Sequence, residues 1–464
     1  MRLELYGEAV NLKRFMLFVA APIACLAAAA ILFVPPSIAR LALMLVLAVP
    51  LIFLSIDRPT IIFYLLILIL FSNLDVYAPF RLYRYVVILI LASFALAFAT
   101  GRRIATHHPF LVALLAAFAI LAFQSLSVAR EYDVAVRKLG SFFKVLAAIA
   151  IVTQFVKDRR EFRRFLLVIA VGILLSGLLP FVVRPPTQFA SMSMLWNKGV
   201  VRYEGFIFEP NTFAMYQLFL IPILVFFIGA YRRPGVARPF LMLSILASIG
   251  VLVLSFSRGG FVGLICLLLT LIVVERRSAT LVFFGLALVA AGIIAMPGVY
   301  WERVASLFDF AAKRTSDFAL TTRLETMRTA LRLGLANPFL GVGIDNFLYH
   351  AAHFIPFRLA VHNTFLEIFA ELGFFAFSVF IGIIVYNAVI IRRMMARRGD
   401  PEAATIGRAL LMQQIAVLVD VFFIPVAYDI IFWFMLVLPA IAEYAYRSGA
   451  LTESRGADVP SGRK

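Results

Sequence analysis

The feature that most constrains this chain is a series of long apolar segments that recurs along almost all of its 464 residues. Each segment holds about 17–25 apolar residues, the length that a helix needs to cross a bilayer. Hydrophobic residues make up 63% of the chain and charged residues only 15%, whereas soluble domains carry about 25% charged residues. Because lipid cannot hydrogen-bond the backbone, segments of this length must be helices. The sequence therefore predicts an all-α, polytopic integral membrane protein.

We predict about 12–14 transmembrane helices from the positions of these segments. The fourteen candidate segments are residues 15–34, 40–56, 59–76, 85–100, 109–127, 139–156, 165–183, 211–230, 239–256, 259–275, 279–296, 362–391, 406–424 and 428–446. Together they form one transmembrane domain, residues 1–447. Residues 448–464 are small and polar, a composition typical of a disordered tail.

Orientation follows from the distribution of Lys and Arg, which accumulate on the cytoplasmic side of membrane proteins. If the N-terminus is cytoplasmic, alternate segments hold most of the basic residues, including residues 157–164, 232–238 and 392–398. This pattern predicts that both termini are cytoplasmic and that segments 184–210 and 298–361 are external. The net charge of +18 is explained by basic loops facing a phospholipid membrane and requires no nucleic-acid partner.

The external segment 298–361 contains a predicted amphipathic helix. Its apolar residues form a single stripe: Leu324, Met327, Leu331 and Leu335. Thr322 and Glu325 have the spacing of a capping box, which marks the start of the helix, and Asn337 with the following proline ends it. Arg323 would add a cation to a helix N-terminus that already favours anions. This helix is expected to lie along the outer membrane surface.

A histidine and an asparagine, His362 and Asn363, follow this segment at the start of predicted helix 362–391. If the helix begins near His362, then Leu366, Phe369 and Gly373 share its face. A neutral imidazole at the membrane rim could accept a proton from an attacking hydroxyl or position that hydroxyl. The alternative is a helix cap beside a histidine with a purely structural role.

Four stretches, taken in order, resemble motifs of the bacterial O-antigen ligase and O-antigen polymerase superfamily. RYEGFIFEPNTFA (202–214) is similar to its Arg-x-x-Gly and Pro-Asn-x-x-Ala segment, and SFSRGGFVGL (255–264) to its Ser-Arg-Gly-Gly element. Residues 322–347 resemble its arginine-led helix followed by Pro-x-x-Gly-x-Gly. HNTFLEIFAELG (362–373) resembles its His-Asn, nine-residue, Gly element. The resemblance covers residues from about 200 to 375.

The resemblance implies a GT-C-like membrane glycosyltransferase of the bacterial inner membrane. Such an enzyme transfers a glycan from undecaprenyl diphosphate to an acceptor sugar at the periplasmic face. The acceptor is lipid A core for a ligase, and a growing O-antigen or exopolysaccharide chain for a polymerase. Ala376 departs from the residue that the ligase form usually has, so both remain open. A transporter of the lipid-linked glycan is a competing class, since transporters carry ionisable groups near mid-membrane; Asp420, which lies within a predicted helix, fits either class.

The resemblance also indicates which residues would act. Arg323 would stabilise the charge of the leaving group, and His362 would orient or deprotonate the acceptor. The candidates for binding the diphosphate are Arg202, Arg258 and Lys144. The candidates for contacting sugar are Asn211, Asn363, Glu204, Glu209 and Asp345. For Lys144 the alternative is simple snorkelling to the interface. A one-step displacement predicts inversion, and the lack of Asp-x-Asp or clustered His, Asp and Glu in the external segments predicts no metal and no cofactor.

Overall fold

The computed structural model describes residues 59–74, 108–182, 202–207, 209–230, 237–274, 318–355 and 359–457, together with positions 283 and 298. The chain divides into two compact units, one formed by residues 1–66 and 77–103 and the other by residues 67–76 and 104–464. The predicted spans 15–34, 40–56 and 85–100, and all of 279–296 except position 283, lie outside the described residues. The interpretation of residues 1–447 as a single transmembrane domain stays a prediction.

The described residues form helices and connecting turns and contain no strand. The helices are α1 (Pro59–Ser72), α2 (Pro109–Gln124), α3 (Tyr132–Phe155), α4 (Arg159–Leu178), α5 (Pro210–Ala230), α6 (Ala237–Leu254), α7 (Arg258–Val274), α8 (Phe318–Ala336), α9 (Phe347–Ala351), α10 (Thr364–Met395), α11 (Pro401–Asp420) and α12 (Ile430–Ala457).

Six segments among the described residues are long and apolar enough to cross a membrane, which confirms the prediction of an all-α polytopic membrane protein. They are Pro109–Val128, Arg159–Phe181, Pro210–Gly229, Thr364–Met395, Pro401–Asp420 and Ile430–Arg447. Shorter apolar helices cover Phe63–Ser72, Arg238–Leu254 and Arg258–Val274. The predicted total of 12–14 spans includes segments outside the described residues and stays a prediction.

Helices α5 and α12 lie inside the bundle, and 83% of each membrane-spanning stretch is buried. Helix α5 packs on α4, α6, α7 and α11, while α10 packs on α2, α8, α11 and α12. Helices α2 and α10 are far less covered, with 28% and 33% of their spans buried. Their exposed side chains include Phe123 on α2 and Phe374 on α10. An exposed apolar face of this kind is suited to contact with lipid.

Two helices begin earlier than predicted because an aspartate caps each of them. Helix α4 begins at Arg159 instead of residue 165, and the side chain of Asp158 accepts a 2.9 Å hydrogen bond from the backbone N–H of Glu161. Helix α11 begins at Pro401 instead of residue 406, capped in the same way by Asp400. The predicted boundaries followed the apolar residues alone, whereas an N-cap residue lets a polar turn join the helix.

Helix α12 continues to Ala457, into the segment 448–464 for which the sequence predicts a disordered tail, and that assignment stays a prediction. Adding a residue to an existing helix fixes little backbone for each new hydrogen bond, which is why a polar segment can extend a helix that it could not nucleate. Residues 458–464 lie outside the described residues.

Helix α8 also differs from its prediction. It begins at Phe318, so Thr322 lies buried within the helix and does not cap it. Helix α8 packs on α10, and its buried residues are mostly small or polar: Thr322, Thr326, Thr329, Ala330, Leu333 and Gly334. The leucines of the predicted stripe are exposed instead: Leu324, Leu331 and Leu335. Small side chains let helices approach closely, and the outward leucines are suited to lipid. The predicted end at Asn337 is confirmed.

Helix α10 is broken at Gly373, whose backbone has φ 79° and ψ −176°. Three backbone hydrogen bonds join segment 338–343 to the residues on either side of the break. Val342 N–H donates to Ala370 O at 2.9 Å, Gly343 N–H to Glu371 O at 3.0 Å, and Phe374 N–H to Pro338 O at 2.7 Å. Unpaired backbone groups are costly in a membrane, so the Pro-x-x-Gly-x-Gly segment has a structural role in supporting the break.

Replacing Gly373 with alanine should lower the free energy of unfolding by about 1–3 kcal/mol, because this backbone conformation is almost restricted to glycine. A Cβ there would also lie 2.7 Å from the carbonyl of Phe339. Thermal unfolding in detergent measures the change. The matched control is Gly140→Ala within α3, where a Cβ meets nothing within 4 Å and helix propensity improves. Equal melting temperatures for the two variants would contradict this account of the break.

The two ends of the second unit join the segments that the charge pattern assigned to the same side. At one end, ion pairs link predicted cytoplasmic residues, including Arg159 with Asp400 at 2.6 Å and Arg397 with Glu443 at 3.1 Å. At the other end, the backbone N–H of Glu131 donates to Asn346 Oδ1 at 2.7 Å, which links predicted external segments. Which end faces the periplasm stays a prediction.

Candidate functional site

Arg202 is held by contacts with two elements at the predicted external end. Its Nε donates to Ser255 O at 2.9 Å, and its Nη2 donates to Asn211 Oδ1 at 2.8 Å. Asn211 in turn donates from Nδ2 to Glu209 Oε1 at 2.7 Å. The other carboxylate oxygen of Glu209 accepts from the backbone N–H of Thr212 at the start of α5. Asn211 and Glu209, both predicted to contact sugar, are therefore used to orient the guanidinium of Arg202.

Arg258 is the first residue of α7, in the turn that also contacts Arg202. Ser257 Oγ accepts the backbone N–H of Gly260 at 3.1 Å and caps the helix. A Cβ on Gly259 would lie 2.7 Å from Asp420 Oδ1, and one on Gly260 would lie 2.5 Å from the Cβ of Ala214. The two glycines thus let α7 pack closely on α5 and α11. The Ser-Arg-Gly-Gly element thus places Arg258 at the start of α7, directly before the two glycines that pack on α5 and α11.

His362 lies just before α10 and not within it, contrary to the predicted start at residue 362. The helix begins at Thr364, and Asn363 Oδ1 accepts the backbone N–H of Leu366 at 2.9 Å. Asn363 is therefore a helix cap, as the alternative interpretation of the His-Asn pair proposed, and its role as a sugar contact stays a prediction. His362 has φ 52°, a left-handed conformation uncommon for a residue with a side chain. Because His362 lies outside α10, the direction of its imidazole ring does not follow from the helical spacing of α10.

Two charged groups from different elements act on the His362 ring. The pKa of His362 is lowered to about 4 by burial and, to a smaller extent, by the positive charge of Arg323, while the negative charge of Glu209 opposes both. Thr326, one turn after Arg323, places its Oγ1 3.4 Å from Val361 O, which ties α8 to the residue before His362. His362 Nδ1 is buried and has no hydrogen-bond partner among the described residues. The ring is therefore neutral at pH 7, with one nitrogen left to bind a ligand.

Glu204 belongs to the same group of charges. Burial raises the pKa of its carboxyl, the negative charge of Glu209 raises it further, and Arg202 opposes both. The neighbouring Tyr203 donates its hydroxyl to Gly177 O at 2.6 Å, which attaches this segment to the end of α4. Arg202, Glu204 and Glu209 thus form one electrostatic group with His362 and Arg323.

Two of the predicted site residues, Lys144 and Asp345, have no described contact with the group around His362. Lys144 lies on an exposed face of α3, which packs on α2 and α12, and no described contact joins it to the group around His362. Asp345 pairs with Lys138 at 3.3 Å, and burial raises the pKa of its carboxyl while Lys138 lowers it. The roles of Lys144 and Asp345 in binding substrate stay predictions without support from described contacts.

Asp420 is a residue that the sequence prediction did not assign to the site. Its side chain is fully buried, and neither carboxylate oxygen has a hydrogen-bond partner among the described residues. It faces Gly259, beside Arg258, at the end of α11. The signal in the sequence was an acidic residue within an apolar segment, which is a functional hypothesis by default. Only the packing of α7 on α11 places it beside the arginine.

Glu371 is a second residue that the sequence prediction missed. It is buried on α10 and accepts hydrogen bonds from the backbone N–H of Asp345 and from the Tyr428 hydroxyl, each at 2.8 Å, and from the backbone N–H of Phe347 at 3.2 Å. It therefore anchors the loop before α9 to the broken helix. Within the described parts of the chain, no group of three or more His, Cys, Asp or Glu could hold a metal; metal independence stays a prediction.

Residues 242–381 match the family described as O-antigen ligase. This part of the chain is similar to the O-antigen ligase and polymerase superfamily. The match runs from α6 to the middle of α10, so it includes Arg258, Arg323, His362 and the Pro-x-x-Gly-x-Gly segment. Arg202 and its partners lie before the matched region and are joined to it by the hydrogen bond to Ser255. No curated protein matches the chain.

Proposed function

We propose that this protein is a membrane glycosyltransferase that moves a glycan from undecaprenyl diphosphate to an acceptor sugar at the periplasmic face of the bacterial inner membrane, with both termini in the cytoplasm. The observation that carries the proposal is the buried His362 imidazole, which is influenced by the charges of Arg323 and Glu209 and whose Nδ1 has no hydrogen-bond partner among the described residues. A transferase that releases a diphosphate needs fixed cations beside a group that positions the acceptor. The family match supports the same class.

In this mechanism the acceptor hydroxyl attacks the anomeric carbon while the bond from that carbon to the diphosphate oxygen breaks. Undecaprenyl diphosphate leaves with the electron pair, and Arg202, Arg258 and Arg323 stabilise its charge. A single displacement inverts the anomeric configuration. The hydroxyl proton passes to His362 or, because a ring with a pKa of about 4 is a weak base at pH 7, to the departing phosphate while His362 holds the hydroxyl in place.

We propose O-antigen ligase as the specific activity, with lipid A core as the acceptor. A repeat-unit polymerase, whose acceptor is another growing glycan, is the second candidate within the superfamily. A transporter of the lipid-linked glycan is a third candidate; the buried Asp420, the last residue of α11, is compatible with either class. The group around His362 favours an enzyme, because it lies at the end of the helices and not at their middle.

The purified chain should transfer glycan from an undecaprenyl-diphosphate-linked oligosaccharide to an added acceptor, and EDTA should leave the rate unchanged because arginines take the place of a metal. Lipid A core and free donor are offered as acceptors in separate reactions, and the products are separated by mass. One added glycan on lipid A core indicates a ligase, and a ladder on the donor lipid indicates a polymerase. A rate abolished by EDTA would contradict metal independence. Movement of the donor across vesicles without transfer would contradict the enzyme.

A further inference from the structure

Basic side chains from separate elements meet at the predicted external end, apart from the group around His362. Arg130 lies in the link between α2 and α3, His350 lies on α9, and His353 follows α9. Arg130 Nη1 is 2.5 Å from His353 Nε2 and 3.3 Å from Tyr349 O. Arg332, on α8, lies over the ring of Phe354 at 5.6 Å. Together we call Arg130, His350 and His353 the basic cluster.

The hydrogen bonds of the basic cluster are incomplete. An arginine only donates, so in the contact between Arg130 Nη1 and His353 Nε2 the histidine nitrogen is the acceptor. His350 Nε2 is buried and has no hydrogen-bond partner among the described residues. Arg130 and His353 are exposed. The cluster thus combines an accessible guanidinium with a buried ring nitrogen that nothing described satisfies.

The charges around the basic cluster are mainly positive. Burial lowers the pKa of His350, and the charges of Arg130 and His353 lower it further. The nearest acidic residue along the chain is Glu131, which is exposed and whose backbone N–H is bound by Asn346. Asp345 is paired with Lys138. No described carboxylate pairs with Arg130, so an anion from outside the chain would complete the cluster.

We infer that the basic cluster is a binding subsite for a phosphate group. A phosphate offers several acceptor oxygens that match the planar fork of arginine and the N–H donors of histidine. Helix α9 packs through Phe347 and Ala351 into the same small hydrophobic core as Val361, the residue before His362. The helix that carries His350 and the residue before His362 therefore share one hydrophobic core. This inference rests on the proposed function, under which the phosphate is carried by the acceptor saccharide.

Binding to the full-length chain in detergent tests the subsite without any transfer reaction. The probes are glucose 6-phosphate with glucose as its uncharged control, and phosphatidylglycerol with phosphatidylcholine as its zwitterionic control, measured by native mass spectrometry. Arg130→Gln combined with His353→Gln should weaken binding of the phosphate probe about tenfold or more, since hydrogen bonds between charged groups are the strong ones. The matched control is Arg160→Gln, an exposed arginine at the opposite end.

Loss of glucose 6-phosphate binding in the double variant supports the subsite and identifies a phosphorylated saccharide as the source. Loss of phosphatidylglycerol retention alone supports the phosphate chemistry and identifies a lipid headgroup. Unchanged binding of both probes, or equal weakening by Arg160→Gln, overturns the inference. His353→Gln alone, which keeps the bond from Arg130 to Tyr349, replaces the double variant if the latter fails to fold. Because transfer is not measured, failure here leaves the proposed function standing.

Discussion

Replacing His362 with alanine should lower glycan transfer by about 10²–10⁴-fold, the usual contribution of a positioned acid–base group. His362→Gln should retain far more activity, because the pKa of about 4 makes the ring a hydrogen-bonding group more than a base, and an amide still bonds the acceptor. Both replacements place a non-glycine residue at φ 52°, so they share the backbone cost and isolate the side chain. The measurement is kcat/KM for transfer, with thermal unfolding as the control for folding.

The pH profile separates the two roles of His362. The profile of kcat/KM reports the free enzyme, in which His362 stays neutral from pH 6 to 8 because its pKa is lowered to about 4. No limb near pH 6.5 should therefore arise from this residue. A limb that is present in the wild type and absent in His362→Gln would contradict positioning and make His362 the base. Near-normal turnover by His362→Ala would remove the residue from the chemistry.

Replacing Arg323 with lysine should lower kcat by about 10- to 100-fold, because charge-assisted hydrogen bonds contribute about 1.5–3 kcal/mol and lysine lacks the planar two-pronged donor. The KM for the donor should change less, since charge on the leaving group grows in the transition state. The loss of Arg323 should not unfold the chain, because Arg323 is only half-buried while the buried residues of α8 include three threonines, Ala330 and Leu333.

Arg328→Lys is the matched control for Arg323→Lys. Arg328 lies on the same helix and is exposed, so its replacement should leave kcat unchanged. Equal losses in the two variants would indicate a general effect of charge at the membrane surface. A change in KM with unchanged kcat would show that Arg323 binds the donor without acting on the leaving group.

The sequence motifs differ in how much of their role could be predicted. The Ser-Arg-Gly-Gly element predicted an arginine among apolar helices, and the structure supplies the reason for both glycines in the close packing of α7. The predicted sugar contacts Asn211 and Glu209 bind the guanidinium of Arg202 and the start of α5 instead. Motif spacing identifies polar residues near a site, but it does not show which of them hydrogen-bond to one another instead of to a substrate.

The membrane class and the helical secondary structure could be predicted from the amino acids, because hydrocarbon permits only internally bonded helices, and the distribution of basic residues predicted which loops share a side. Long-range packing was needed to show that His362 precedes α10 and is influenced by Arg323 and Glu209, that α10 breaks at Gly373, and that Glu371 anchors the loop before α9. These features depend on contacts between residues far apart in the chain. Apolar periodicity reports which residues avoid water, and it carries no information about which partner each polar group meets.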